Sequence, residues 1–123
     1  MIAYWLAALV LLALIVVHLT IGERDVARPL LNSGAFAPDV IVVLFLCWHV
    51  VTLVMVSAMA AYVAAAISPQ YEDFALSATI VIGLLALWSF AVVVWKRQRH
   101  QEMPQWIAFG VVAILGLAGQ LTS

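Results

Sequence analysis

Long uncharged apolar runs alternate with short polar stretches along this chain of 123 residues. The four runs cover about residues 2–21, 40–67, 74–95 and 105–121. A helix needs about 20 apolar residues, with a range of roughly 17–25, to cross the hydrocarbon layer of a bilayer. Only helices and closed barrels satisfy their backbone hydrogen bonds in lipid. The pattern therefore predicts an all-α integral membrane four-helix bundle, with four transmembrane helices in a single transmembrane domain over residues 1–123.

Helix-breaking residues support the limits of these runs. Pro38 and Asp39 precede the second run, and Ser68 with Pro69 closes it, as expected where a proline cannot continue a helix. Pro104 stands where the first turn of the fourth helix would lie, and proline is tolerated at that position. The segments between the runs are then loops at residues 22–39 and 96–104 and a short link before residue 74.

The loop at residues 22–39 has two interpretations. Asp25 could cap a short helix over residues 26–31 that stops at Asn32, with Pro29 tolerated in its first turn. The alternative is an irregular loop at the membrane interface.

All five basic residues lie in the two longer loops. Because Lys and Arg near span ends are retained in the cytoplasm, both loops are predicted to be cytoplasmic and both termini extracytoplasmic. The first run lacks the basic flank and the cleavage site of a signal peptide, so we expect a retained helix in a bacterial cytoplasmic (inner) membrane. Tyr4 and Trp106 lie near span ends, where amphipathic rings favour the headgroup layer. The basic residues are Arg24, Arg28, Lys96, Arg97 and Arg99.

Composition restricts the classes of partner. Hydrophobic residues make up 67% of the chain and charged residues 9%, against about half and one quarter in soluble domains. The lipid bilayer is therefore the expected environment. The net charge of −1 and the lack of a basic face argue against nucleic acid. Cys47 is the only cysteine, which excludes a disulfide within the chain and a CxxC metal motif.

Small residues recur at helical spacing on three of the predicted helices and predict close helix packing. They serve either contacts within one chain or an interface between copies, for which the fourth helix is the favoured candidate. The sets are Ser57, Ala61 and Ala65; Ala75, Thr79 and Gly83; and Ala108, Val112, Gly116 and Gly119.

No Asp, Glu, Lys or Arg lies inside a predicted span, so the candidate functional residues are His18, His49 and the hydroxyl of Thr52. Ionisable groups at membrane depth indicate function, and these three residues are predicted to form an ion or proton path. Alternatively, His18 and His49 with Glu23 could bind a metal, or the two histidines a haem iron. A purely structural role, with the histidines hydrogen-bonded to neighbouring helices or to Thr52, is also open. His100 and Glu102 could add ligands from the second basic loop.

These patterns favour a small non-catalytic channel, transporter or accessory membrane subunit that acts as a homo-oligomer or within a larger complex. The alternative is a metal- or haem-binding membrane redox protein that uses His18 and His49. No nucleophile, base and orienting residue occur together, so no catalytic residue is assigned and enzyme activity stays open. The sequence does not specify a cofactor.

Overall fold

A computed structural model of the chain describes residues 1–123 and contains helices as its only regular elements. The α-helices are α1 (Ile2–Val17), α2 (Arg28–Leu31), α3 (Pro38–Ile67), α4 (Glu72–Trp95) and α5 (Gln105–Thr122), with a π-helix at His18–Ala27 and a 3₁₀ turn at Pro69–Tyr71. Four continuous helical stretches are long and apolar enough to cross a membrane. The predicted all-α four-helix bundle is therefore confirmed. The stretches are Ile2–Leu31, Pro38–Ile67, Pro69–Trp95 and Gln105–Thr122.

The first helix differs from its expected limits because it runs on to Leu31 instead of ending at Ile21. α1 continues through the π-helix into α2 without leaving helical backbone angles, and we call this continuous element, Ile2–Leu31, the first rod. Gly22 does not stop the helix, because its φ is not positive and glycine ends helices mainly through that conformation. The rod stops at Asn32, as the short-helix interpretation predicted for this segment.

The other helix limits lie within two residues of the expected ones, which is the usual uncertainty of helix ends. α4 ends in a Schellman motif: the N–H of Gln98 donates to the carbonyl of Val93 at 2.9 Å, and that of Arg97 to Val94 at 3.2 Å. Arg97 takes the left-handed conformation, φ 53°, that this motif requires. Glycine usually occupies that position.

The four long helices pack as a ring in which each helix contacts two neighbours. α1 lies against α3 and α5, and α4 completes the ring against the same two helices. One end of the bundle holds both termini and the link at residues 68–71, and we call it the terminal end. The opposite end holds the loops at residues 32–37 and 96–104, and we call it the basic-loop end.

The fully buried core lies mainly toward the terminal end. Its large members are Tyr4 and Leu11 on α1, Tyr62 on α3, Ile82 on α4 and Val112 on α5, each with no exposed surface. Toward the basic-loop end, the first half of α3 buries only Ile41. More of the core therefore lies in the half toward the terminal end than in the half toward the basic-loop end.

Two glycines of α5 bring this helix close to its neighbours. A Cβ atom at Gly116 would lie 2.6 Å from the hydroxyl of Tyr62 and would also overlap the hydroxyl of Thr79. At Gly119 it would overlap the ring of Tyr4. The small-residue face of α5 is thus occupied by contacts within the chain at Gly116 and Gly119, as the first of the two interpretations predicted.

Most large apolar side chains point outward. Only 21 of 123 residues are buried, so the apolar surface that a soluble domain would hide is exposed here. The bilayer is the solvent that suits such a surface. Examples at more than half exposure are Leu9, Val42, Leu53, Ile80, Leu87 and Ile114.

Candidate functional site

Three polar side chains meet between the first rod and α3, in the half nearer the basic-loop end. Nε2 of His18 lies 2.9 Å from Oγ1 of Thr52, and Nδ1 of His49 lies 3.2 Å from the same oxygen. Both distances are hydrogen-bonding distances. One hydroxyl therefore joins two imidazole rings from two helices, and we call these three residues the histidine–threonine cluster.

A backbone carbonyl lies beside this cluster. Nε2 of His18 also lies 3.3 Å from the carbonyl oxygen of Trp48. In the tautomer with the His18 hydrogen on Nε2, this nitrogen donates toward the carbonyl of Trp48 and toward Thr52. The hydroxyl hydrogen of Thr52 is then free to point at Nδ1 of His49. In that tautomer the hydrogen bonds run in one direction, from His18 through Thr52 to His49.

Aromatic rings flank both histidines. The indole of Trp48 stacks on the His18 ring with centroids 4.1 Å apart and an interplanar angle of 15°. Phe45 meets the His49 ring edge-on, with centroids 4.7 Å apart. Both partners lie on α3, so this helix supplies most of the surroundings of the cluster. His18 is the single member that comes from the first rod.

His18 is also the first residue of the π-helix, which continues to Ala27 and is closed by a hydrogen bond from the N–H of Arg28 to the carbonyl of Glu23. π-helical turns are rare and often occur at functional sites. The π-helix thus begins at the residue whose imidazole extends from the first rod toward α3. The unusual backbone and the histidine–threonine cluster thus coincide.

The proposed metal ligands are only partly brought together. His18 and His49 share a partner, but no group of three or more His, Cys, Asp or Glu side chains lies close enough to hold a metal ion. Glu23 is half-buried on the π-helix. The cluster as it stands offers two ring nitrogens and one hydroxyl.

The second loop does not extend the cluster. His100 accepts a hydrogen bond at Nδ1 from the indole N–H of Trp106 at 3.0 Å and lies on the ring of Phe90. Glu102 pairs with Arg99 at 3.5 Å, with both side chains largely exposed. Both residues are thus engaged in contacts of their own.

A second polar cluster lies at the terminal end. The hydroxyls of Tyr62 and Thr79 are 2.8 Å apart, and Thr79 donates to the carbonyl of Ala75 at 2.8 Å. Tyr4 stacks on Tyr62 with centroids 6.1 Å apart. We call Tyr4, Tyr62 and Thr79 the tyrosine–threonine cluster. Tyr4 was expected at the interface, yet its side chain is fully buried.

The two clusters are separated by apolar packing. Along α3, Thr52 and Tyr62 are ten residues apart, about 15 Å at 1.5 Å per residue. Met55 and Ala58 lie between them and are 2% and 5% exposed. The histidine–threonine cluster is therefore confined to one half of the bundle.

Fold and composition define a class: an all-α bundle of four apolar helices suited to a lipid bilayer. No family model matches the chain, and no curated protein or solved structure matches it either.

Proposed function

We propose that this protein is a small accessory or transport subunit of a membrane, in which His18, Thr52 and His49 relay protons. The observation that carries the proposal is the shared hydroxyl: two titratable rings from two helices bond to one Oγ1 atom, at 2.9 Å and 3.2 Å. A hydroxyl that accepts one proton while giving up another is a suitable bridge between two bases. Histidine suits the task because its charge changes near neutral pH.

The transfer is written as one concerted movement. When His18 takes up a proton on Nδ1, its Nε2 proton can pass to Oγ1 of Thr52 while the hydroxyl proton of Thr52 passes to Nδ1 of His49. Thr52 ends with one proton as it began, and one positive charge has moved from His18 to His49. The ring of His49 is half-exposed on α3, so it can hand the proton to a neighbouring molecule.

Charge distribution supports an orientation for this relay. All five basic residues lie in the segments at the basic-loop end, and the positive-inside rule places that end in the cytoplasm and the termini outside. The relay then lies in the cytoplasmic half of a bacterial inner membrane. The packed core of the other half, with Tyr4, Leu11 and Ile82 fully buried, favours proton delivery to a partner over a pore through a single chain. That partner is a further copy or a larger membrane subunit.

Thiol labelling in intact cells tests the orientation. In a Cys47→Ser background, Gly34→Cys and Gln70→Cys place single thiols at opposite ends, both at exposed positions. A membrane-impermeant reagent should label Gln70→Cys before lysis and Gly34→Cys only afterwards. The reverse order would contradict the orientation.

NMR of histidine labelled with nitrogen isotopes, in protein purified into lipid nanodiscs, tests the relay. The ring nitrogens report the tautomer and the rate of proton exchange of each histidine. Thr52→Val removes the hydroxyl at nearly constant shape, and we expect proton exchange at His49 to slow by about tenfold or more, given the usual scale of acid–base catalysis. Thr20→Val is the matched control, because the Thr20 hydroxyl is exposed and bonds only within its own rod, to the carbonyl of Val16.

Exchange at His49 that is equally fast in wild type and Thr52→Val would overturn the relay. Metal analysis and an absorption spectrum of the same samples test the alternative of a redox protein. Stoichiometric metal or haem, lost in both His18→Ala and His49→Ala, would favour that alternative.

A further inference from the structure

Gly22 lies where α3 comes closest to the π-helix. A Cβ atom at Gly22 would be 2.9 Å from Cζ2 and 3.0 Å from Cη2 of Trp48, closer than a side chain can approach without displacement. The backbone of Gly22 is helical and has no positive φ, so no turn requires glycine here. Glycine destabilises a helix relative to alanine, and the indole is the contact that requires it.

Trp48 in turn holds His18 at two points. The indole face covers the imidazole, with centroids 4.1 Å apart at 15°. The carbonyl oxygen of Trp48 lies 3.3 Å from Nε2 of His18. Rotation of the ring about its Cβ–Cγ bond would break both contacts. Together they keep Nε2 directed at Thr52.

The indole N–H of Trp48 is buried and has no hydrogen-bond partner in the chain. An unpaired buried donor is destabilising, and it adjoins a helical glycine that is destabilising as well. Because the same indole stacks on the ring of His18 with centroids 4.1 Å apart, these two unfavourable features lie against the proposed relay. A phenylalanine with an alanine opposite would avoid both.

We propose that Trp48, seated on Gly22, is the positioning residue of the relay: the indole sets the orientation of the His18 ring and so controls proton delivery to Thr52. This inference rests on the proposed function. It adds the contact that orients His18 within the same site.

A double-mutant cycle tests the inference. Gly22→Ala should push the indole away, change the tautomer signature of His18 and slow proton exchange at His49 several-fold. Phenylalanine has no atoms equivalent to Cζ2 and Cη2 of tryptophan, so Gly22→Ala should have no further effect in a Trp48→Phe background. Such non-additivity is expected of residues in contact. Gly110→Ala is the matched control, because a Cβ there meets nothing within 4 Å.

Trp48→Leu keeps the site apolar but removes the stacking ring. This variant tests the positioning role if Gly22→Ala does not fold. We expect the His18 tautomer signature to change in this variant too. A wild-type signature in Trp48→Leu, or additive effects in the cycle, would overturn the positioning role.

Thr52→Val separates this inference from the proposed function. If exchange slows in Thr52→Val but not in Gly22→Ala or Trp48→Leu, the relay stands and the positioning role fails. If exchange is unchanged in all three variants, both fail.

Discussion

In both the histidine–threonine cluster and the tyrosine–threonine cluster, a threonine hydroxyl joins two helices. The two clusters differ in how far they are buried. In each, a threonine hydroxyl on one helix bonds to a ring from another helix, at 2.9 Å for His18 and 2.8 Å for Tyr62. Thr79 is 3% exposed, whereas Thr52 is only part-buried. The buried cluster is enclosed on all sides, and the other opens toward its surroundings.

The close contacts at glycines also differ between the two clusters. Gly116 and Gly119 bring α5 onto Thr79, Tyr62 and Tyr4, which closes the terminal end as a packed core. Gly22 brings Trp48 onto the ring of His18, which orients a titratable group. The hydroxyl that bonds to a tyrosine thus lies in a packed core, and the one that bonds to two histidines lies in the site for which we propose a proton relay.

The largest loss of stability is expected at the tyrosine–threonine cluster. Gly116→Ala inserts a Cβ 2.6 Å from the Tyr62 hydroxyl, and overpacking of this kind costs about 1–3 kcal/mol. Thermal or denaturant unfolding in detergent measures the change. Gly110→Ala, in open space on the same helix, should instead stabilise the protein by up to about 1 kcal/mol through helix propensity. Equal effects of the two variants would show that α5 is not packed as described.

A smaller loss is expected for Tyr62→Phe. The variant removes one buried hydrogen bond, but Thr79 keeps its bond to the carbonyl of Ala75 at 2.8 Å. Hydrogen bonds between membrane helices average about 0.6 kcal/mol, so a loss of this order is expected. Unfolding measurements should show no such loss for Tyr71→Phe, whose ring is exposed. A loss well above 2 kcal/mol for Tyr62→Phe would mean that this cluster does more than pack.

The smallest effect is a gain, expected for Arg97→Gly outside both clusters. Arg97 has φ 53°, and glycine adopts this conformation without strain, so the protein should be stabilised by about 0.5–1 kcal/mol. Arg99→Gly removes the same charge from a residue that has no positive φ and should give no gain. A gain in both variants would attribute the effect to charge instead of backbone conformation.

The apolar runs were sufficient to predict four helices, because span length and backbone hydrogen bonding leave few alternatives in lipid. They did not locate the end of the first helix. Glu23, Arg24 and Asp25 follow Ile21 after a single glycine, Gly22, but charged side chains on the rod surface do not stop a helix. Arg24 and Asp25 pair at 2.7 Å and remain largely exposed.

The sequence also indicated that His18, His49 and Thr52 could form one path, with Thr52 as a hydroxyl to which the histidines could bond. Gly22 and Trp48 were not recognised as part of the same site. The available signal was spacing: Gly22 follows His18 by four residues and Trp48 precedes Thr52 by four, so each pair lies on one helix face. Which faces meet depends on helix rotation, which the uniformly apolar runs do not specify.

The most direct test of the proton relay is proton exchange at His49, measured by NMR in nanodiscs, in Thr52→Val beside Thr79→Val. Both variants remove a threonine hydroxyl that joins two helices. We predict that Thr52→Val slows exchange at His49 and hardly changes unfolding, whereas Thr79→Val lowers stability and leaves exchange at the wild-type rate. Unchanged exchange in Thr52→Val, or equal slowing in both variants, would contradict the relay.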